Sequence, residues 1–247
     1  MKTLIRKLLR LKGYEIARLN RFGRHPLVDI RGICSEQTPR IIFDVGANEG
    51  QTATQFATLF PEALIYSFEP FHDAFTQLQK AALKYPRINP VETALGDKIG
   101  DQTLCVNAAS VTNSLLANTP EASDFQPKGM ADSKGTATVC VSTADDYCRT
   151  HQISSIDILK IDTQGYDLTV LRGAEQLITE NRVAVILVEV LFASLYLGQA
   201  YFHEIYDYLW RRGFRLVNLY DVAINERTYA SWCDALFVHP DTFSTLK

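Results

Sequence analysis

The sequence of 247 residues is long enough for one α/β domain with added segments and a substantial buried core. Its 47% hydrophobic and 21% charged residues are ordinary for a globular protein, and a formal net charge of −3 gives no reason to expect a nucleic-acid partner. Five scattered cysteines without a C-x-x-C pair argue against a disulfide framework and favour a reducing, cytoplasmic location, and no apolar run is long enough to span a membrane.

The first 24 residues are strongly basic. Eight of them are Lys or Arg against one acid, Glu15, and Leu4, Leu8 and Leu11 fall on one side of a helix. Such a basic amphipathic helix can lie on anionic lipid as a peripheral membrane contact, or it can pack on the domain or on a second subunit of a homodimer. Residues 25–39 lack periodicity. We therefore predict a basic helix and linker over residues 1–39, followed by one domain over residues 40–247.

Residues 41–50 predict a buried strand that runs into a glycine turn, with a helix over residues 51–60 behind it. Strand, glycine turn and helix form the nucleotide-binding corner of doubly wound α/β sheets. The turn reads G-x-x-x-G rather than G-x-G-x-x-G, and a carboxylate precedes it, which would repel a pyrophosphate. S-adenosylmethionine carries a sulfonium and an ammonium instead. The candidate cofactor residues here are Asp44, Gly46, Ala47, Asn48 and Gly50.

A second short strand, over residues 64–68, ends at Glu69, 25 positions after Asp44. An acid at the end of the second strand is where doubly wound folds bind the ribose hydroxyls, so Glu69 is the predicted ribose acceptor. Pro70 then opens a helix over residues 71–85. The third strand, predicted over residues 88–94, leads to an exit turn at Ala94 and Leu95, where methyltransferases usually hold the adenine and backbone groups could do so here. Pro70, Ala94 and Leu95 are therefore further candidate cofactor residues.

The main insertion follows. Residues 103–108 and 136–142 alternate apolar with polar side chains, which predicts two paired strands and hence a hairpin or lid insertion over residues 103–142. The stretch 111–135 between them is rich in Ser, Asn, Pro and Gly, and it is either a lid over the acceptor or disordered. Asp145 and Asp146 come next and are interpreted as helix-starting acids rather than metal ligands.

Later strands are predicted over residues 156–161, 183–190, 214–219 and 235–238, with a helix over residues 201–212. Asp97, Asp162 and Glu189 fall at strand ends, which share one rim in a doubly wound sheet. An acidic rim suits a cationic cofactor and can also hold a divalent ion. The five histidines show no paired ligand spacing, so no metal site is assigned to them.

An ordered series of motifs resembles the FkbM family of S-adenosylmethionine-dependent methyltransferases: Asp-Val-Gly-Ala-Asn-Glu-Gly, Phe-Glu-Pro, Leu-Lys-Ile-Asp-Thr-Gln-Gly-Tyr-Asp, Val-Leu-Arg-Gly-Ala, Leu-Val-Glu-Val and Asp-Ala-Leu-Phe-Val. This chain has Gln164 and Asp167 where the family usually has Glu. The resemblance implies a Rossmann-like class I methyltransferase fold. It would have a seven-stranded, mostly parallel sheet of order 3-2-1-4-5-7-6 with one antiparallel strand, here with a β-hairpin insertion and an N-terminal helix.

The resemblance also implies methyl transfer from S-adenosyl-L-methionine to a hydroxyl of a sugar, a glycan or another small polar metabolite. Asp162 is the first candidate for the proton acceptor, although it can equally serve only to position the cofactor. Glu189 would orient the hydroxyl, share a divalent metal or itself act as the base, and His203 is a reserve candidate. The alternative functions are a cofactor-binding protein without catalysis and, disfavoured by Asp44 and the missing middle glycine, an NAD-dependent oxidoreductase.

Overall fold

The computed structural model describes residues 22–224 and 229–242 of the chain. Most of the predicted basic N-terminal helix, residues 1–21, lies outside the described residues, and it therefore stays a prediction. No helix within the described residues is long and apolar enough to cross a lipid bilayer.

Helix α1 (Pro26–Ile33) occupies the stretch that we predicted to be an irregular linker, so that prediction was wrong. Pro26 stands in the first turn, and the His25 ring accepts a hydrogen bond from the Leu27 N–H at 3.2 Å, which caps the start of the helix. Asp29 and Ile30 are fully buried. A helix of eight residues is shorter than the window of about 11–18 residues over which a helical period can be recognised.

Within the described residues, the main sheet has seven strands. In chain order they are β1 (Ile41–Val45), β2 (Leu64–Phe68), β3 (Ile88–Val91), β7 (Ile156–Ile161), β8 (Val183–Leu191), β9 (Arg215–Ile224) and β10 (Ala230–Val238). The helices that follow α1 are α2 (Gln51–Leu59), α3 (His72–Ala82), α4 (Ala144–Thr150), α5 (Asp167–Arg172), α6 (Glu175–Thr179) and α7 (Phe202–Arg211).

The spatial order of the strands is β3-β2-β1-β7-β8-β10-β9, which confirms the predicted order of the seven strands. Strand β10 pairs antiparallel with both of its neighbours, while the other described pairs of this sheet are parallel. All nine residues of β8 are buried, as expected for a strand covered on both faces. The carboxyl ends of the parallel strands therefore meet at one edge, where ligands bind in such sheets.

The insertion forms a second sheet of three strands, in the order β4-β6-β5, from β4 (Ala94–Leu95), β5 (Gly100–Asn107) and β6 (Ser133–Ser142). Strands β5 and β6 are antiparallel, so the predicted hairpin is present. The predicted third strand was too long, because the chain leaves the main sheet after Val91 and Ala94 pairs with Val141 of β6 instead.

The last two strands also differ in extent from the prediction, and the helical segment after β7 is interrupted. Strands β9 and β10 are longer than predicted and pair as a ladder interrupted by bulges. The helix after β7 is divided into α5 and α6 at Gly173, where a Cβ atom would lie 1.8 Å from the carbonyl oxygen of Gly96. This close approach fixes the insertion against the main domain and requires glycine at position 173.

Candidate active site

Two adjoining cavities lie at the carboxyl ends of the parallel strands. The first cavity has a volume of about 340 Å³ and is bordered mainly by the glycine turn, the end of β2 and the insertion. The residues that border it are Val45, Gly46, Ala47, Asn48, Gln51, Thr52, Phe68, Glu69, Pro70, Ala94, Leu95, Leu104, Ser110, Val111, Asn113, Ser114, Leu115, Lys160, Asp162, Thr163, Gln164 and Tyr166. The second cavity has a volume of about 270 Å³ and is bordered by Val111, Thr112, Gln126, Pro127, Met130, Asp162, Gln164, Glu189, Leu191, Leu195, Trp232 and Asp234. Both cavities share Val111, Asp162 and Gln164.

The glycine turn is closely packed and internally hydrogen-bonded. Gly46 has φ 76°, and a Cβ atom there would lie 1.9 Å from the carbonyl oxygen of Asp162, so only glycine fits. The N–H groups of Gly46 and Ala47 both donate to the Phe68 carbonyl at 3.0 Å, and the Asn48 N–H donates to Glu69. These three donors are therefore already engaged, unlike the free N–H groups that a dinucleotide pyrophosphate requires.

Glu69 lies at the end of β2, where the sequence predicted it, and borders the first cavity. Its Oε2 accepts from the Asn48 N–H and its Oε1 from the Phe71 N–H, each at 2.8 Å. These two bonds fix the carboxylate while leaving lone pairs on both oxygens for a ligand. Burial, which outweighs the two backbone hydrogen bonds, raises the pKa of Glu69 to about 7.

Asp44 does not border either cavity, and its contact with the cofactor stays a prediction. Its side chain is fully buried, and Oδ1 lies 3.3 Å from Nζ of Lys160, its in-register partner on β7. Gly50 is also outside both cavities. It has φ 90° and closes the turn against Leu78, whose Cδ1 would lie 2.8 Å from an added Cβ. Asp44 and Gly50 therefore support the turn through contacts within the protein.

Lys160 is a site residue that our sequence analysis did not assign. Its Nζ lies 3.3 Å from Asp44 and 3.5 Å from Oδ2 of Asp162, and it donates to the Gly46 carbonyl at 3.3 Å. Burial acts to lower the pKa of Lys160, but the carboxylates of Asp44 and Asp162 outweigh burial and raise it above the usual range. The feature that could have identified Lys160 as a site residue is a lysine within the apolar run of β7, in register with an acid on β1.

Asp162 borders both cavities, and a neutral amide fixes its carboxylate. Nε2 of Gln164 donates to Oδ1 of Asp162 at 2.8 Å and to Oε2 of Glu189 at 3.0 Å. The Tyr196 hydroxyl donates to Oε1 of Gln164 at 2.7 Å, which sets the amide orientation. Gln164 itself has φ 55°, an uncommon conformation for a residue with a side chain. This chain of hydrogen bonds brings the two predicted catalytic carboxylates together.

Glu189 and Asp234 are paired in register on β8 and β10 and border the second cavity. Burial, followed by repulsion from Asp162, raises the pKa of Glu189 well above its usual range and that of Asp234 to about 7. Asp234 was not among the predicted site residues. The motif that contains it was recognised, but the antiparallel pairing that places it opposite Glu189 cannot be read from spacing alone.

The remaining predicted site residues are divided between the cavities and the surface. Asn48, Pro70, Ala94 and Leu95 border the first cavity as predicted. His203, the reserve candidate, lies exposed in the first turn of α7, stacked on Tyr201, and borders neither cavity. Asp97 is likewise exposed and outside both cavities. Within residues 22–224 and 229–242, no group of three or more His, Cys, Asp or Glu side chains is arranged to hold a metal ion.

The segment of the insertion between β5 and β6 covers both cavities. Ser110 donates to Oδ1 of Asn48 at 3.0 Å, and Ser114 donates to the Gln164 carbonyl at 2.7 Å. Farther along, the Thr119 N–H donates to the Leu195 carbonyl at 2.8 Å, and Gln126 donates to the Tyr196 hydroxyl at 3.1 Å. The segment is thus hydrogen-bonded to the residues around both cavities, and its role as a lid over the acceptor stays a prediction.

Comparison with known structures agrees with the class of protein that the fold and the cavities define, a Rossmann-like, class I methyltransferase. The METTL16 methyltransferase domain superposes with a TM-score of 0.50 at 14% identity, over 96% of this chain and 78% of that one. The chain belongs to the Methyltransferase FkbM domain family, which it matches over residues 44–216. That family and fold are those of S-adenosylmethionine-dependent methyltransferases.

Two characterised relatives are similar in sequence. One is the 2-O-methyltransferase NoeI of Sinorhizobium fredii, 27% identical over 180 residues that cover 70% of this chain and 72% of the relative. The other is the hexuronic acid methyltransferase AglP of Haloferax volcanii, 23% identical over 134 residues that cover 54% of this chain. The match spans about half of the AglP chain, 49%.

Proposed function

We propose that this protein transfers a methyl group from S-adenosylmethionine, bound in the first cavity, to a hydroxyl group of a sugar unit bound in the second. The observation that carries this proposal is that the two cavities meet at the carboxylate of Asp162. Both relatives named above are methyltransferases, and one name specifies a hexuronic acid, which favours a carbohydrate acceptor.

The residues of the first cavity fit this cofactor. The immobilised carboxylate of Glu69 retains lone pairs that can accept from the two ribose hydroxyls, and the carbonyl and apolar groups of Ala94 and Leu95 suit an adenine. Nδ2 of Asn113 is buried without a hydrogen-bond partner in the described part of the chain and belongs to a side chain that borders this cavity. A buried donor without an acceptor is costly, and a ligand acceptor would satisfy it.

S-adenosylmethionine supplies, when bound, an electrophilic methyl group on a good leaving group. The protein must then take the proton of a sugar hydroxyl, which is a poor nucleophile while protonated. Asp162 is the proton acceptor in this proposal, and Lys160 on one side of its carboxylate and the Gln164 amide on the other hold it in place. Glu189, held by the same amide, orients the hydroxyl group.

The test is the substitution Asp162→Asn, which removes the proton acceptor but preserves the side-chain size. We expect the affinity for S-adenosylhomocysteine to be unchanged and methyl transfer to fall on the order of 10²–10⁴-fold. Affinity would be measured by calorimetry and transfer with labelled S-adenosylmethionine and a panel of methyl glycosides. The matched control is Asp97→Asn, at an exposed acid outside both cavities. Lost affinity would make Asp162 a cofactor-positioning residue, and unchanged transfer would remove it from the mechanism.

We propose further that the basic residues 1–24 attach the protein to anionic membranes. The support is their charge, eight Lys or Arg against one Glu. The intact protein should sediment with vesicles containing phosphatidylserine and be released as the salt concentration rises, because exposed charges are screened within about 8–10 Å. A variant without this segment should remain in solution and still bind S-adenosylhomocysteine. If the intact protein ignores the vesicles, packing of the segment on the domain or on a second subunit is the better account.

A further inference from the structure

Two acids of the second cavity are placed where they cost stability. Glu189 and Asp234 lie directly opposite each other on the antiparallel strands β8 and β10, and like charges in that relation destabilise a sheet. Among the described residues that border this cavity, three are acids and none is Lys or Arg. Lys160 borders only the first cavity and lies against Asp44 and Asp162. The pair of acids therefore lacks a counter-charge within the cavity.

Three of the four carboxylate oxygens of these two acids also lack a hydrogen-bond donor among the described residues. Glu189 is 8% exposed, and Oε2 accepts from Gln164, but Oε1 has no donor within residues 22–224 and 229–242. The carboxylate of Asp234 has no hydrogen bond or ion pair to any described residue. Oε1 of Gln126, a third acceptor at this cavity, is buried and also has no partner there. A buried acceptor without a donor, as at Gln126, is rare in folded proteins, and a ligand that brings several donors would satisfy it together with the open oxygens of Glu189 and Asp234.

An aromatic ring completes the cavity. Trp232 lies two positions before Asp234 on β10 and borders the same space, together with Leu191 and Leu195. A sugar ring has apolar C–H groups on its faces and hydroxyl donors around its edge. The cavity therefore combines an apolar surface for a ring face with acceptors for hydroxyl donors.

We propose that Glu189 and Asp234 determine acceptor specificity, selecting a sugar unit that presents hydroxyl or ammonium donors to the second cavity and rejecting one that carries a carboxylate there. The inference rests on the proposed function, since it assigns the acceptor to this cavity. A uronic acid carboxylate would enter a space that already holds three acids and no bordering cation. The expected acceptor therefore differs from the hexuronic acid in the name of AglP.

The experiment measures the binding of methyl glycosides to the full-length protein saturated with S-adenosylhomocysteine, by saturation-transfer NMR titration at about pH 9, above the pKa of about 7 to which burial raises Asp234, so that its carboxylate is charged. The ligands are nine methyl glycosides: a neutral glycoside, a 2-amino glycoside and a uronide from each of the gluco, galacto and manno series. We expect at least one neutral or amino member to bind more than ~10-fold more tightly than the uronide of its series, because like charges brought together in an interface are strongly unfavourable.

In Asp234→Asn, and independently in Glu189→Gln, this preference over the uronide should fall to within about threefold, because one of the repelling charges is gone. The matched control is Asp207→Asn, at an exposed acid of α7 that borders neither cavity and should retain the wild-type preference. Equal or tighter binding of the uronides to the wild-type protein, an unchanged preference in both variants, or no binding of any glycoside would each overturn the proposal.

The same glycosides incubated with labelled S-adenosylmethionine separate this inference from the proposed function. Selective binding without label transfer would contradict methylation of sugars but support the acceptor preference. Transfer of label to the uronides at the rate of the neutral glycosides would support methylation and overturn the preference.

Discussion

Lys160 places an ammonium group inside a parallel sheet, in register with Asp44 of the neighbouring strand. A buried ion requires a partner, so each of these residues accounts for the presence of the other. The sequence contained both, in two separate apolar runs, but the analysis treated Asp44 as a ligand for a cationic cofactor. Pairing between strands that are more than 100 residues apart in the chain is decided by the tertiary fold, which local spacing does not report.

Removing the ammonium group should destabilise the fold. Lys160→Met leaves Asp44 buried without its counter-charge, and breaking a buried ion pair on one side costs about 3–5 kcal/mol. The free energy of unfolding, measured with urea, should therefore fall by that amount. The double variant Asp44→Asn, Lys160→Met should recover part of the loss because the fully buried charge of Asp44 is then gone as well, and only the part-exposed Asp162 has lost its ammonium partner. A loss below about 1 kcal/mol in the single variant would show that the pair does not support the turn.

Glu69 should couple cofactor binding to pH. Burial raises its pKa from 4.5 to about 7 in the ligand-free protein, so its contribution to the free energy of unfolding is present below pH 4.5 and is lost as the pH rises through about 7. A ligand whose hydroxyls donate to the carboxylate favours the ionised form. The affinity for S-adenosylhomocysteine should therefore increase from pH 6 to pH 8, with release of a proton at the lower pH.

Calorimetry in buffers of different ionisation enthalpy detects that proton. The control is Glu69→Gln, which cannot ionise and should bind more weakly with a flatter pH dependence. If the wild-type protein binds with no proton release and the same affinity at both pH values, Glu69 is not the ribose acceptor.

At the scale of helices and strands, the elements predicted most accurately are those with the strongest local pattern in the sequence. Strands β1, β2 and β7 lie at the predicted positions because each is a short apolar run that ends at a turn or an acid. Helix α1 was missed because it is short, and β4 was assigned to the wrong sheet because its pairing with β6 joins residues far apart in the chain. The lid could not be distinguished from disorder, since its order depends on contacts such as Ser114 with Gln164.

At the scale of the whole molecule, the strand order was predictable because the resemblance to one family fixed it, and the structure has that order. The first cavity was predictable for the same reason, since its main residues lie within or next to two motifs. The second cavity was only half predictable. Asp162 and Glu189 end successive parallel strands, but Asp234 and Trp232 come from an antiparallel strand, and Gln126 comes from the insertion. No rule of sequence spacing predicts that these three segments meet at one cavity.

The central claim, that the first cavity binds S-adenosylmethionine rather than a dinucleotide, is tested most directly by calorimetric titration of the full-length protein with S-adenosylhomocysteine and, separately, with NAD. We predict saturable binding of one S-adenosylhomocysteine per chain and no detectable heat with NAD, because the Gly46, Ala47 and Asn48 N–H groups are engaged within the protein. Saturable binding of NAD without binding of S-adenosylhomocysteine would contradict the account.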